Sequence, residues 1–252
     1  MVNKRSRSFR RDPSMMAGRI KRYERRLRGL IEDARTELEG LVDTGRSMER
    51  ALESDINMSL LQMHLNKILL DRILTPAETL ASDEVTLAYR AGSVRADQFL
   101  GVKVSANLVN MPADKSALSV LKARSLTGLK GITDEMSKSI MQEITDGMLR
   151  GQSPREVAKG ISERVDVSQS RAVTMARTET MKAYNQVATN RYKQRGVEMV
   201  EWLATSSERT CAECWALDGK QFPVGEEPAV HGGTNANCRC TILPVITPLE
   251  DL

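Results

Sequence analysis

Apolar residues recur at three- and four-residue steps near the start of the chain, at Ile20, Tyr23, Leu27, Leu30 or Ile31, Ala34, Leu38 and Leu41. That period is the turn of an α-helix, so it predicts one long amphipathic helix. Its opposite face is crowded with Arg and Glu, so a partner helix must cover the stripe. The next segment, about 46–74, is rich in Met and Leu but less cleanly striped. Helix starts are then punctuated by capping chemistry. Thr75-Pro76-Ala77-Glu78 and Ser153-Pro154-Arg155-Glu156 each offer an N-cap, a proline at the first helical position and a capping-box glutamate. Thr133-Asp134-Glu135 predicts another start, striped by Met136, Ile140, Ile144 and Met148 and stopped near Gly151. Gly101–Ala113 reads as irregular and Gly128–Gly131 as a break. A last helix is expected from about Ser168 to Gln194, ending before Gly196.

The period changes after residue 196. Val197–Ala204 reads as a strand, Leu217-Asp218-Gly219-Lys220 as a hairpin turn, and Arg239–Ile246 as a closing strand that Pro244 marks as an edge or bulge. The expected fold class is therefore mainly α: an extended helical body with a small C-terminal α+β module. The expected divisions are a basic flexible arm over 1–13, a long-helix region over 14–125, further helices over 126–196, and a small β-rich module over 197–252.

Charge sharpens this division. The whole chain carries +4, but residues 1–28 hold eleven basic and two acidic residues, and residues 204–252 hold three basic and seven acidic ones. The ends are thus +9 and −4, leaving −1 for the middle. A uniformly basic nucleic-acid coat is excluded, whereas a near-neutral body with one basic arm is not. Arg5, Arg7, Arg10, Arg11, Arg22, Arg25 and Arg26 are the candidates for contact with DNA phosphates or an acidic partner. The alternative is a solvated tail and helix face. The positive N-terminus has no apolar stretch behind it, so a secretory leader is not expected. No run approaches the length of a membrane span, so no membrane anchor is expected either.

All four cysteines fall between residues 211 and 240. Such clustering predicts a local thiol site in a reducing compartment rather than a disulfide framework. Cys211-Ala212-Glu213-Cys214 places two thiols on one turn, within reach of a tetrahedral zinc. Cys238-Arg239-Cys240 supplies a second pair. Only one residue separates these two, and positions i and i+2 of a regular strand lie about 6.6–6.8 Å apart, so the backbone must bend for both to reach one ion. The ligands are four Cys, or three Cys with His231. A structural zinc, late disulfides and plain buried thiols all remain open, and so small a module needs a staple of some kind. His64 reads as an ordinary residue of a Met- and Leu-rich helix.

In the 168–194 helix, Ala172, Met175 or Ala176, Ala183, Val187 and Ala188 form a face of small residues suited to close packing. Arg177 and Glu179 lie on different faces and are not an intrahelical pair by spacing. A buried ion pair with the C-terminal module, a catalytic carboxylate in Glu179, or plain surface would each account for them.

The ordered set GQSPREVAKGI (151–161), ARTET (176–180) with Asn185, Trp202, RTCAECWALDGKQF (209–222) and NCRC (237–240) resembles the phage Mu F-like family, head morphogenesis or minor capsid proteins of tailed bacteriophages. The likeness covers about 130–245. It implies a virion protein, assembled in the host bacterial cytoplasm, that associates with the portal protein during head assembly and aids DNA ejection. Packaged double-stranded DNA and other capsid or scaffold proteins are further implied partners. It also implies that Arg177, Thr178 and Glu179 are the family's Arg-Thr-Glu helix, and Cys211, Cys214, Cys238 and Cys240 its cysteine pairs. His231 lies further from the last Cys-Arg-Cys than the family's pattern places its histidine. The competing expectation is a zinc-dependent hydrolase or nuclease using Glu179 and the cysteine/His231 cluster.

Overall fold

The computed structural model describes residues 10–42, 55–102, 112–228 and 236–246. It is mainly helical: α1 (Ala17–Gly40), α2 (Asp55–Ile68), a π-helical turn (Leu69–Leu74), α3 (Thr75–Phe99), α4 (Pro112–Leu149) and α5 (Pro154–Gln194) precede β1 (Met199–Leu203), α6 (Ala212–Leu217), β2 (Gln221–Pro223) and β3 (Thr241–Pro244). Among the described residues no helix is long and apolar enough to cross a membrane.

The α1 stripe is as expected as far as Leu38: Ile20, Tyr23, Leu27, Ile31, Ala34 and Leu38 are all buried, but the helix ends at Gly40, and beyond it Val42 is buried in place of the expected Leu41. Its start is fixed by Asp12, whose carboxylate accepts the Met16 and Ala17 N–H groups at 3.1 Å each. The Ser153 cap also forms. Glu156 Oε2 accepts the Ser153 backbone N–H at 2.8 Å, and Glu156 N–H reaches back to Ser153 Oγ at 3.4 Å. These bonds hold the Glu156 carboxyl below its ordinary range.

Three expected helix starts differ. α3 does begin at Thr75, but without a cap: Thr75 has helical φ and ψ, and its N–H bonds to Leu70 O five residues back in the preceding π turn. The widened π turn lets the helix run on into Pro76. It moves the preceding carbonyls away from where the ring would clash, and proline has no N–H to leave unpaired. Thr133 is inside α4, donating to Lys130 O at 2.9 Å rather than capping a new helix. The helix crosses Gly128 and Gly131 because its buried positions Leu121, Ser125, Leu129, Thr133, Met136, Ile140 and Ile144 keep one phase throughout. Similarly, the expected start at Ser168 is interior to the 41-residue α5. Val157, Ile161, Val165, Ser168 and Ala172 continue one buried stripe straight through Gly160. The Gly101–Ala113 expectation falls mostly outside the described residues, as does the first part of 46–74.

The chain forms two compact units, each assembled from separate stretches. One contains Tyr23–Ser82 and Arg124–Thr174. Its described residues are helical apart from short turns, with Leu27, Ile31, Leu38, Leu65, Leu69, Met136, Ile140, Val157 and Ile161 buried. Arg35 of α1 reaches α5 through Asp166 at 2.5 Å, and Glu143 of α4 accepts from Arg164 of α5 at 3.0 Å. At Gly160 any Cβ would strike that Glu143 side chain, so the missing side chain admits the carboxylate.

The other unit contains Met1–Arg22, Asp83–Ala123 and Met175–Leu252. Its helical core packs Met16, Ile20, Val85, Tyr89, Leu121, Met181, Tyr184 and Val187 together. Gly92 of α3 lies so close to α5 that an added Cβ would be 2.5 Å from Tyr184 O. A buried polar cluster sits beside this contact. Arg191 of α5 donates to Asp114 of α4 (3.3 Å) and Ser93 of α3 (2.8 Å), while Tyr89 OH donates to the other Asp114 oxygen (2.8 Å). Every ionised group there has a partner, the condition under which burying charge is tolerated.

The sheet has the order β2-β1-β3 and both pairings are antiparallel. Val200 and Ile242 face Ala96, Ala188 and Tyr192 of the helices, while Trp202 faces the cysteines. Pro244 lies on edge strand β3, where a missing N–H costs no central ladder bond. A turn forms at Leu217–Lys220, with Gly219 at φ +77°, but it leads from α6 into β2 rather than joining two strands as a hairpin. Asp218 in that turn accepts the Ala204 N–H at 2.9 Å and also the Arg10 guanidinium.

Candidate metal centre

Cys211 adopts extended backbone at the N-cap of α6, and its Sγ accepts the Cys214 N–H at 3.3 Å. The Cys-x-x-Cys segment is thus a single capped turn, and it aims Cys214 inward against Trp202, Ala204 and Cys240. The second pair arrives by the distortion that its spacing requires. Ala236 and Asn237 form a turn with Asn237 at φ +72°, and β3 begins only at Thr241, so Cys238 and Cys240 lie on irregular backbone. Asparagine tolerates this left-handed region better than most residues.

The Sγ atoms of Cys214, Cys238 and Cys240 all lie within 4.8 Å of one another, and Cys214 and Cys238 are 3.5 Å apart. Tetrahedral zinc at about 2.3 Å from each sulfur separates its thiolates by about 3.8 Å. The trio therefore fits one metal ion. Cys211 contacts Cys214 but stands outside the set of three, and His231 lies outside the described residues. All four thiols are free of disulfides. Burial, the Cys211 contact and the Cys240 sulfur raise the Cys214 thiol, while hydrogen bonding to Cys238 and then burial raise Cys240. A metal that binds Cys214 and Cys240 must displace their protons.

Helix α5 positions the second pair. Arg177 Nη1 donates to Asn237 Oδ1 at 3.0 Å, and Thr178 Oγ1 accepts the Asn237 N–H at 3.3 Å. Asn185, two turns on, donates to Cys240 O at 3.2 Å and accepts from Thr241 Oγ1 at 2.7 Å. Arg177, Thr178 and Asn185 thus bracket the segment carrying both cysteines. Thr205, just after β1, donates to Arg239 O at 2.8 Å and holds the same segment from the other side. Glu179 is buried, accepts from Lys182 of its own helix at 3.1 Å, and is not among the residues lining the pocket over the cysteines. That pocket is bounded by Arg177, Arg209, Arg239, Asn237 and the four cysteines. Sequence reasoning missed Thr205, and it gave no role to Asn237 and Arg209 although both open motifs quoted above. A backbone contact to a distant loop leaves no local periodicity, and only the departure of Cys238-Arg239-Cys240 from strand geometry signalled a bend.

The candidate basic contacts are dispersed. Arg5 and Arg7 lie outside the described residues. Arg10 pairs with Asp218, and its carbonyl accepts the Ser206 N–H at 2.7 Å, so it is tied to the cysteine module. Arg11, Arg22, Arg25 and Arg26 are exposed.

Residues 138–243 match the model of the family described as Phage Mu protein F like protein, a span that takes in α5, β1, β2 and all four cysteines. Among curated proteins, the chain is 30% identical over 156 residues (56% of this chain, 31% of the relative) to an NAD(+)--arginine ADP-ribosyltransferase of Enterococcus faecalis. It is 26% identical over 154 residues (60% and 34%) to an uncharacterized protein of Haemophilus influenzae. It is 27% identical over 128 residues (44% and 42%) to the minor head protein GP7 of Bacillus phage SPP1. The chain thus spans about a third of the length of the first two relatives and 42% of the phage protein. No solved structure matches it significantly.

Proposed function

We propose that the chain is a minor head protein of a tailed bacteriophage, carried in the virion, which associates with the portal during head assembly and aids DNA ejection. The observation that carries this reading is the family match over 138–243, which coincides with the α5–sheet–cysteine module and extends to a phage minor head protein. In this reading the cysteines bind a structural zinc. Cys214, Cys238 and Cys240 hold it, with Cys211 or His231 as the fourth ligand. The ion locks α6 to the 236–240 segment, which Arg177, Thr178 and Asn185 secure to α5. The exposed Arg11, Arg22, Arg25 and Arg26, with Arg5 and Arg7, face packaged DNA or an acidic surface of another head protein.

The module acts without catalysis. Glu179, the carboxylate a hydrolase would need, is salt-bridged within its helix and lies outside the cysteine pocket. The ADP-ribosyltransferase name belongs to a relative of which the chain spans 31%. The test is co-expression with the portal protein of the same phage. The expected result is co-purification of the chain with the portal ring, lost when 138–243 is deleted. A portal ring that assembles and purifies free of the chain would overturn the reading. Zinc content by elemental analysis checks the metal assignment independently.

A further inference from the structure

The segment that leads into α1 is a short strap, fastened at one end to the cysteine module. The Arg10 guanidinium pairs with Asp218, and the Arg10 carbonyl accepts the Ser206 N–H at 2.7 Å. The strap then turns. Met15 N–H donates to Asp12 O at 3.0 Å, and Met15 takes a φ of +57°, a left-handed value that methionine seldom adopts. The far end is fixed as well: Asp12 caps α1, Ser14 Oγ lies 3.7 Å from Met181 Sδ, and Met16 is buried in the helical core. A backbone strained in this way persists where its surroundings hold it on both sides.

The near anchor falls on the elements that present the cysteines. Cys211 is the N-cap of α6 and Asp218 its C-cap, so the six residues of that helix separate the strap's ion pair from a candidate ligand. Asp218 accepts the Ala204 N–H through one carboxylate oxygen and Arg10 through the other. Ser206, the second anchor, follows two residues after Ala204. Beside it, Thr205 donates to the carbonyl of Arg239, between Cys238 and Cys240, and Thr210 donates to Thr205 O. Both cysteine pairs and the strap are therefore held by the same two pieces of chain, α6 and the 204–210 loop.

We propose that the strap and the metal centre are coupled: zinc at the cysteines and docking of Arg10 on Asp218 and Ser206 favour one another. The inference rests on the structural-zinc reading of the cysteines and is independent of the head-protein reading. Residues 1–9, with Lys4, Arg5 and Arg7, join the chain at this anchor, so metal occupancy governs how firmly the basic segment is tethered at its root. Coupling of this kind is reciprocal, the same factor appearing in zinc affinity and in strap docking. The side chains of Arg10 and Asp218 are 36% and 18% exposed, so water screens the pair. The factor then belongs at the low end of the usual range, about fivefold.

The test measures both directions in the full chain: zinc affinity by competition with a chromophoric chelator, and hydrogen exchange of the Ser206 amide, which reports docking because it donates to Arg10 O. In the unaltered chain, zinc should slow Ser206 exchange about fivefold relative to the chelated protein. Arg10→Gln and Asp218→Asn should each weaken zinc by up to that factor and reduce the slowing at Ser206. Arg11→Gln removes the same charge from the exposed neighbouring position and should change neither. Three results overturn the coupling: zinc that binds without slowing Ser206 exchange, a slowing that persists in full in Arg10→Gln, or Arg11→Gln weakening zinc as much as Arg10→Gln does. A chain that binds no zinc overturns the metal reading and the coupling together, whereas bound zinc with unaltered Ser206 exchange overturns the coupling alone. The exchange measurement needs no substitution, so it decides the matter even where a variant fails to fold.

Discussion

Replacing Asn185 with alanine tests whether α5 holds the cysteine segment in place. The side chain makes two buried bonds to that segment, to Cys240 O at 3.2 Å and from Thr241 Oγ1 at 2.7 Å. Truncation leaves the Cys240 carbonyl and the Thr241 hydroxyl without that partner, and Thr241 is 1% exposed, so water does not readily replace it. Each orphaned buried group costs about 1–3 kcal/mol, giving roughly 2–6 kcal/mol in all. That is a large share of a typical total stability of about 5–15 kcal/mol. Both tryptophans of the chain, Trp202 and Trp215, belong to the cysteine module, so their fluorescence in a urea titration follows this module. With an m-value of about 2–3 kcal/mol per molar, the midpoint should fall by about 1 M or more. Thr241→Val probes the same bond from the other side, and the two changes together should couple by about 1–2 kcal/mol. A loss below about 1 kcal/mol for Asn185→Ala, or strict additivity with Thr241→Val, would refute the clamp.

Gly92→Ala should gain about 1 kcal/mol of helix propensity, but it places a methyl 2.5 Å from the Tyr184 backbone oxygen. Overpacking of about 1–3 kcal/mol then wins, and a variant as stable as the parent in denaturant would show that α3 and α5 approach less closely. A zinc chelator should lower the tryptophan-detected stability of the parent by about 2–3 kcal/mol, relative to the protein at a hundredfold excess of metal over Kd. Cys238→Ser should abolish that response, and a parent indifferent to chelation would end the zinc assignment. The Glu156 carboxyl, lowered by its bonds to Ser153, stabilises fully above its unfolded-state pKa and loses that contribution as pH falls through the folded value. Glu156→Gln should therefore flatten the stability profile between about pH 5 and pH 3; an unchanged profile would remove the charged cap from the account. Reversing Arg22, Arg25 and Arg26 to Glu should reduce the salt slope of DNA binding by about three, and an unaltered slope would assign that face to another partner.

The sequence conveyed element type more faithfully than element boundaries, and the reason is specific. The α1 stripe and the Ser153 cap were legible because their determinants are local: periodic burial in one, a four-residue exchange of bonds in the other. Thr75 and Thr133 carry the same kind of signal but form no cap. At Thr75 a π turn removes the clash that would have ended a helix before Pro76, and at Thr133 the hydroxyl bonds within α4. Capping residues announce that a helix is able to start. Whether it does depends on the stripe on either side, and in α4 and α5 that stripe keeps its phase straight through the apparent break.

The candidate metal centre divides in the same way. Four clustered cysteines and the strain of a one-residue spacing were readable, and the bend at Asn237 is the backbone's answer to that strain. What the spacing could not convey is that the Arg-Thr-Glu helix meets the cysteine segment at Asn237. Arg177 and Thr178 both bond to this one residue, across 60 and 59 positions of chain. An arginine facing a neutral asparagine forms a directional contact without adding negative charge beside thiols that a metal would turn into thiolates. Aspartate at 237 would strengthen the Arg177 bond, yet its carboxylate would oppose ionisation of Cys238 and Cys240. The pairing of Arg177 with Asn237 therefore fixes the backbone turn without adding a negative charge beside the cysteines.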